Sequence, residues 1–163
     1  MKHIITFCLT LFLNFSFAQN IYKTAIGIKG GYPSYGSLNI KYRLNNLQSI
    51  EGSIGGSAIG VSSSGVILEG MYEINSPLKE NGLEWYYGGG AIIGLIKEVD
   101  LNAQNGMSNG FLTGLKGIIG IEYTFEEFPL NLALDTGPVL LFSPLISFTW
   151  AGALAIRYSI FNK

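Results

Sequence analysis

Ser37-Leu38-Asn39-Ile40-Lys41-Tyr42-Arg43 alternates without a slip: Leu38, Ile40 and Tyr42 fall on one side, Lys41 and Arg43 with the small polar residues on the other. Successive side chains of a strand point to opposite faces, so this stretch predicts a strand with one oily and one charged face. The composition around it is unusual for a water-soluble sheet. Of 163 residues, 48% are hydrophobic, 13% are charged and 22 are glycine, with a mean hydropathy of +0.33. An ordinary soluble domain carries about 25% charge.

Outward from this segment the same period recurs in stretches of about ten residues set between turn residues. The first strand is read as Ile21 to Lys29, followed by a turn at Gly30-Gly31-Tyr32-Pro33-Ser34. The second is Ser37 to Arg43, the third Ser49 to Ser57, and the fourth Gly65 to Ile74. The fifth is Leu83 to Leu95, the sixth Phe111 to Phe125, the seventh Leu130 to Gly137 and the eighth Phe148 to Ile160. Helices fit poorly, since each glycine costs about 1 kcal/mol in a helix relative to alanine. After residue 18 there is also no uninterrupted apolar run of the ~18 residues that a membrane-crossing helix needs.

The start of the chain reads as an export signal. Lys2 and His3 precede an apolar run from Ile4 to Phe17, and Ser16-Phe17-Ala18 puts small residues where a signal peptidase cuts. The expected organisation is a signal peptide over residues 1–18 and one β-barrel domain over 19–163. Cys8, the only cysteine, lies inside the signal, so no disulfide is expected. An exported, apolar, Gly-rich, helix-poor chain points to a closed barrel, because in lipid every backbone donor and acceptor needs an internal partner. The fold expected is therefore all-β: an eight-stranded antiparallel up-and-down transmembrane β-barrel behind a cleavable signal peptide, placed in the cell outer membrane.

The two faces of these strands differ in kind. One carries Ile26, Ile28, Leu38, Ile40, Ile50, Ile54, Leu68, Ile93, Leu115, Ile119, Leu134 and Leu154 among others, and is expected to meet lipid. The other carries six cations (Lys23, Lys29, Lys41, Arg43, Lys116, Arg157) and six anions (Glu51, Glu69, Glu73, Glu84, Glu122, Asp135). Lys23 with Lys29, Lys41 with Arg43, Glu69 with Glu73 and Lys116 with Glu122 share a strand, and each pair agrees in parity. Such a balanced set can neutralise itself as a structural ion-pair network, and an eight-stranded barrel is just wide enough for side chains to fill it. A plugged interior is expected. Tyr22, Tyr42, Tyr72, Trp85, Tyr87, Tyr123, Phe125 and Tyr158 fall near one level of the barrel on the oily face, as an aromatic girdle at a membrane interface.

Gly82-Leu83-Glu84-Trp85-Tyr86-Tyr87-Gly88-Gly89-Gly90-Ala91, the segment Gly117 to Leu132, and Gly152-Ala153-Leu154-Ala155-Ile156-Arg157-Tyr158 together resemble small outer-membrane β-barrel proteins of Gram-negative bacteria, similar in build to the OmpA and OmpX types. The resemblance covers nearly the whole of the chain after the signal. It implies insertion by the barrel-assembly machinery and carries no catalytic motif. That machinery usually reads an aromatic final residue, whereas here Phe161 is followed by Asn162 and Lys163.

Chemistry is otherwise scarce. His3 is the only histidine and leaves with the signal, which removes His-based catalytic triads and metal sites. Glu69 and Glu73 read as ion-pair partners rather than an acid/base couple, and Gly88-Gly89-Gly90 lacks the lysine and following helix of a phosphate loop. The glycines instead let the wall curve or let Tyr86 lie across the lumen. Ser62-Ser63-Ser64 reads as an exposed loop. Pro138 to Ile146, in the place of the last external loop, is almost wholly apolar; it either extends the flanking strands, rests on the membrane, or docks a partner. No enzyme activity, cofactor, metal or nucleic-acid partner is expected, with net charge only −1. The chain is expected to be a monomer in contact with lipid and, as an open class, with a periplasmic or surface protein. Two alternatives stay open: a soluble exported lipocalin-like barrel binding an apolar ligand, and a small pore.

Overall fold

The computed structural model describes residues 22–57, 64–99, 107–143 and 146–160. The expected signal peptide, Ser62 and Ser63, and the terminal Phe161 lie outside them. The described chain is all β: β1 (Thr24–Tyr32), β2 (Ser34–Arg43), β3 (Gln48–Ser57), β4 (Ser64–Pro77), β5 (Leu83–Val99), β6 (Met107–Thr124), β7 (Leu130–Ser143) and β8 (Ser147–Ile160). Each strand pairs antiparallel with its sequence neighbours, and β8 returns to β1 through Thr24↔Ile160 to Tyr32↔Gly152, closing an up-and-down barrel. Closure leaves no free sheet edge.

The turns at one end follow from short polar chemistry. The Asn45 side-chain oxygen accepts from the amides of Leu47 and Gln48, both at 2.9 Å, which folds residues 44–47 into an Asx-type turn between β2 and β3. Gly82 stands at φ +79°, a left-handed conformation that favours glycine, and its carbonyl accepts from Thr124 N at 2.8 Å. These turns and the start of β1 lie at the same end of the barrel.

The strands reach further, mostly towards the opposite end and for β4 towards the turn end, than the alternation alone marks. The expected turn at 30–34 shrinks, because Tyr32 is still in β1 and Ser34 already in β2. Asn75, Ser76 and Pro77 belong to β4 rather than to a loop, while β5 runs on to Val99 and β6 starts at Met107. The apolar stretch from Pro138 is also strand: β7 continues to Ser143 with Val139 and Leu141 buried and Leu140 and Phe142 outward. Pro138 is tolerated because the β6–β7 pairing passes from Lys116↔Val139 to Ile119↔Thr136 with no pair at the proline, which has no amide hydrogen to give.

Inside, side chains fill the barrel in two zones. Towards the turn end the lumen holds the charged residues; towards the far end Ile67, Ile92, Ile96, Leu112, Val139, Leu141 and Ala151 form a buried apolar cluster, with Tyr32 packed on it. Between them Tyr86, fully buried, crosses the lumen beside Met71, Ile118, Ala133 and Ala155. The room for that ring comes from Gly120: a Cβ there would stand 2.5 Å from Tyr86 Cζ and 2.7 Å from the Leu134 carbonyl. Gly120→Val should therefore destabilise by ~1–3 kcal/mol through overpacking. Equilibrium urea unfolding of the refolded chain in detergent measures this, and an unchanged midpoint would contradict the placement of Tyr86.

Candidate functional site

Eleven of the twelve charged residues expected inside are buried there, each at 5% exposure or less: Lys29, Lys41, Arg43, Glu51, Glu69, Glu73, Glu84, Lys116, Glu122, Asp135 and Arg157. Their positions follow from the ladder. Lys41 faces Glu51 across β2–β3, and Glu84 faces Glu122 across β5–β6, so parity delivers charges from all eight strands to one space.

Three groups of contacts result. At the turn end, Glu122 is the hub: its carboxylate accepts from Lys41 Nζ at 3.0 Å, Arg43 Nη2 at 2.6 Å, Asn75 Nδ2 at 3.2 Å and the Tyr22 hydroxyl at 3.2 Å. The Arg157 guanidinium stands 3.6 Å from it. Arg43 Nη2 also bonds Glu84, and Lys41 Nζ pairs with Glu73 at 2.7 Å. At mid-height, Arg157 donates to Glu51, to Asn39 and, at 2.9 Å, to Asn131. Lys29 Nζ bridges Glu51 and Asp135, both at 2.7 Å. Nearest the apolar cluster, Lys116 Nζ and Glu69 form a pair at 2.7 Å. The Lys41 ammonium also lies 4.1 Å from the centroid of the Tyr86 ring, a desolvated cation–π contact.

Two expectations are corrected together. Lys23 does not enter the lumen; its ammonium lies 4.8 Å from the ring centroid of Tyr42, an outward side chain. Tyr22, expected on the outer girdle, is buried at 1% exposure and donates to Glu122. The reason is local: β1 begins at Thr24 and residue 23 is a bend, so strict alternation does not extend back through residues 22 and 23. The described lumen therefore holds five cations against six carboxylates.

The other girdle residues do lie outward or at the rim of the turn end. Tyr42, Tyr72, Tyr87, Tyr123 and Tyr158 are 37–61% exposed, while Trp85 stacks on Tyr87 at 5.3 Å. Phe125, just past β6, meets Tyr123 edge-on at 4.7 Å and stacks on Phe128 at 4.5 Å. At the far end Tyr35, Phe111, Phe142, Phe148 and Trp150 are outward as well. The Trp150 indole donates to Thr136 Oγ1 at 2.6 Å, which donates to the Ala151 carbonyl at 2.7 Å, so this outward polar group is satisfied within the wall.

Charge-based reading missed the uncharged part of the lumen. Asn39, Asn75, Asn131 and Ser49 complete the network, and the apolar cluster fills the rest. Parity could have found them: Ile67 shares a face with Glu69, and Leu112 with Lys116. No group of His, Cys, Asp and Glu suited to a metal ion occurs among the described residues.

The class is thus an eight-stranded up-and-down barrel with charges turned in and oily residues turned out. No protein-family model matches the chain, and no curated protein matches it. Among solved structures, the crystal structure of the N-terminal β-barrel domain of Pseudomonas aeruginosa OprF aligns with a TM-score of 0.62 at 16% identity, covering 86% of this chain and 97% of that one. The likeness is one of fold, and at that level it agrees with the OmpA-like build read from the sequence.

The network makes a quantitative prediction. Arg157→Met would leave Glu51 Oε2 and the side-chain oxygens of Asn39 and Asn131 without this donor and should cost ~3–5 kcal/mol. The isolated Lys116–Glu69 pair behaves differently: Glu69→Leu alone should cost a similar ~3–5 kcal/mol, whereas Glu69→Leu with Lys116→Met should be neutral or stabilising by ~1–4 kcal/mol. A double-mutant cycle in urea measures the difference, and additive losses would contradict the pairing.

Proposed function

We propose that this chain is an integral outer-membrane β-barrel protein with a plugged lumen, serving a structural or interaction role and not a catalytic one. The observation that carries this reading is the outer wall. Ile28 at 61% exposure, Leu38 at 68%, Leu134 at 57% and Leu154 at 53% typify an apolar surface that continues around the whole barrel. The largest apolar patch of a soluble monomer is about 300–600 Å². Lipid is the solvent that favours such a wall, and closure gives every strand the hydrogen-bond partners that lipid cannot supply.

Dimensions agree. Tyr158 and Trp150 lie eight residues apart on the outer face of β8, which at ~3.4 Å per residue and a tilt of ~40° separates them by about 21 Å along the barrel axis. The apolar band of outer-membrane barrels is about 25 Å tall, with aromatic rings at both borders. An export signal over residues 1–18 supplies the route, the barrel-assembly machinery the insertion, and the outer membrane the location. The barrel acts as a monomer, and protein contacts fall to its ends. A soluble lipocalin-like barrel would need apolar residues in and charges out, the reverse of the wall described above.

The refolded or membrane-extracted protein should migrate differently on a gel when unboiled, and it should sediment with outer membranes. An unchanged unboiled band, or the mature chain in the soluble periplasmic fraction, would overturn the reading. In planar bilayers the parent chain should show no steady conductance, because the apolar cluster and the ion pairs together fill the lumen. Reproducible open steps would favour a small pore instead.

A further inference from the structure

With Lys23 outside, the described residues of the lumen carry one carboxylate more than they have cations, and the surplus can be located. Lys116 serves Glu69, while Lys29 and Arg157 serve Glu51 and Asp135. At the turn end Lys41 and Arg43 face three carboxylates: Glu73, Glu84 and Glu122. An unneutralised charge buried among side chains is costly, so a further positive charge at this group is favoured.

The three carboxylates are not equally supported. Glu122 accepts from Lys41, Arg43, Asn75 and Tyr22 and has Arg157 nearby. Glu73 has the Lys41 ammonium at 2.7 Å on one oxygen, no partner on its buried Oε1, and no carboxylate across its ladder. Among the described residues Glu84 has one donor, Arg43, shares that single nitrogen with Glu122, and stands directly across the β5–β6 ladder from it. Like charges in that relation repel. Glu84 is 3% exposed, and its Oε1 is buried with no hydrogen-bond partner.

We propose that the lumen binds one proton, and that Glu84 carries it beside the ionised Glu122. The proton is delivered by hydronium at the turn-end mouth: one O–H bond of the hydronium breaks, leaving water, as one O–H bond forms on Glu84 Oε1. The site relieves the Glu84–Glu122 repulsion and brings the charges of the described lumen residues to zero. It rests on the lumen geometry and not on where the barrel resides.

The infrared spectrum of the full refolded protein in detergent tests this at neutral pH. The expected result is a carbonyl-stretch band of one protonated carboxylic acid per chain, lost in Glu84→Gln. That variant swaps a neutral acid for a neutral amide of the same size, so it should also keep the parent's unfolding midpoint. A spectrum with no such band, which a bound metal cation neutralising the same surplus would give, overturns the proposal. So does a band that survives in Glu84→Gln, and so does failure of that variant to fold.

Discussion

Closure of β8 onto β1 is the constraint on which everything else in this molecule depends. Once the ladder from Thr24↔Ile160 to Tyr32↔Gly152 is made, every strand has two neighbours and every side chain points either into the lumen or away from the wall. A slip of one residue in any strand would exchange its faces. For β2 that would put Lys41 and Arg43 outside and Leu38 and Ile40 among the carboxylates. The register is thus held by two opposite preferences at once, charge for charge inside and apolar surface for an apolar solvent outside.

The interior divides the labour. Near the turn end, long cations from β1, β2, β6 and β8 reach carboxylates from β3 to β7, and the pairs are knit by asparagines and tyrosines that take up remaining donors and acceptors. Nearer the far end an apolar cluster of Ile67, Ile92, Ile96 and Leu112 packs instead.

Much of this was legible in the residues because period-two alternation is a strong local signal. Lys41 with Arg43 and Glu69 with Glu73 fixed the inward face of their strands without any knowledge of the fold. What stayed hidden depended on where regular strand stops. Lys23 and Tyr22 changed sides because the chain bends at residue 23, and no composition rule marks that bend. Pro138 suggested a break in the strand, yet β7 carries it where the β6 ladder makes no pair. The apolar cluster was overlooked for another reason: inward positions were recognised by charge, so buried isoleucines of the same parity gave no contrast. The hub role of Glu122 required three dimensions, since Tyr22, Lys41 and Asn75 approach it from sequence separations of 100, 81 and 47.

The central claim is that the outer wall meets lipid, and the chain's own tryptophans can report on it. Trp85 and Trp150 are the two tryptophans of the sequence, on the outer wall towards opposite ends of the barrel. In vesicles whose acyl chains carry bromine at graded depths, the emission of both should be quenched, most strongly by bromines near the headgroups and less by those at the bilayer centre. Emission insensitive to brominated lipid in the folded, inserted protein would contradict the account.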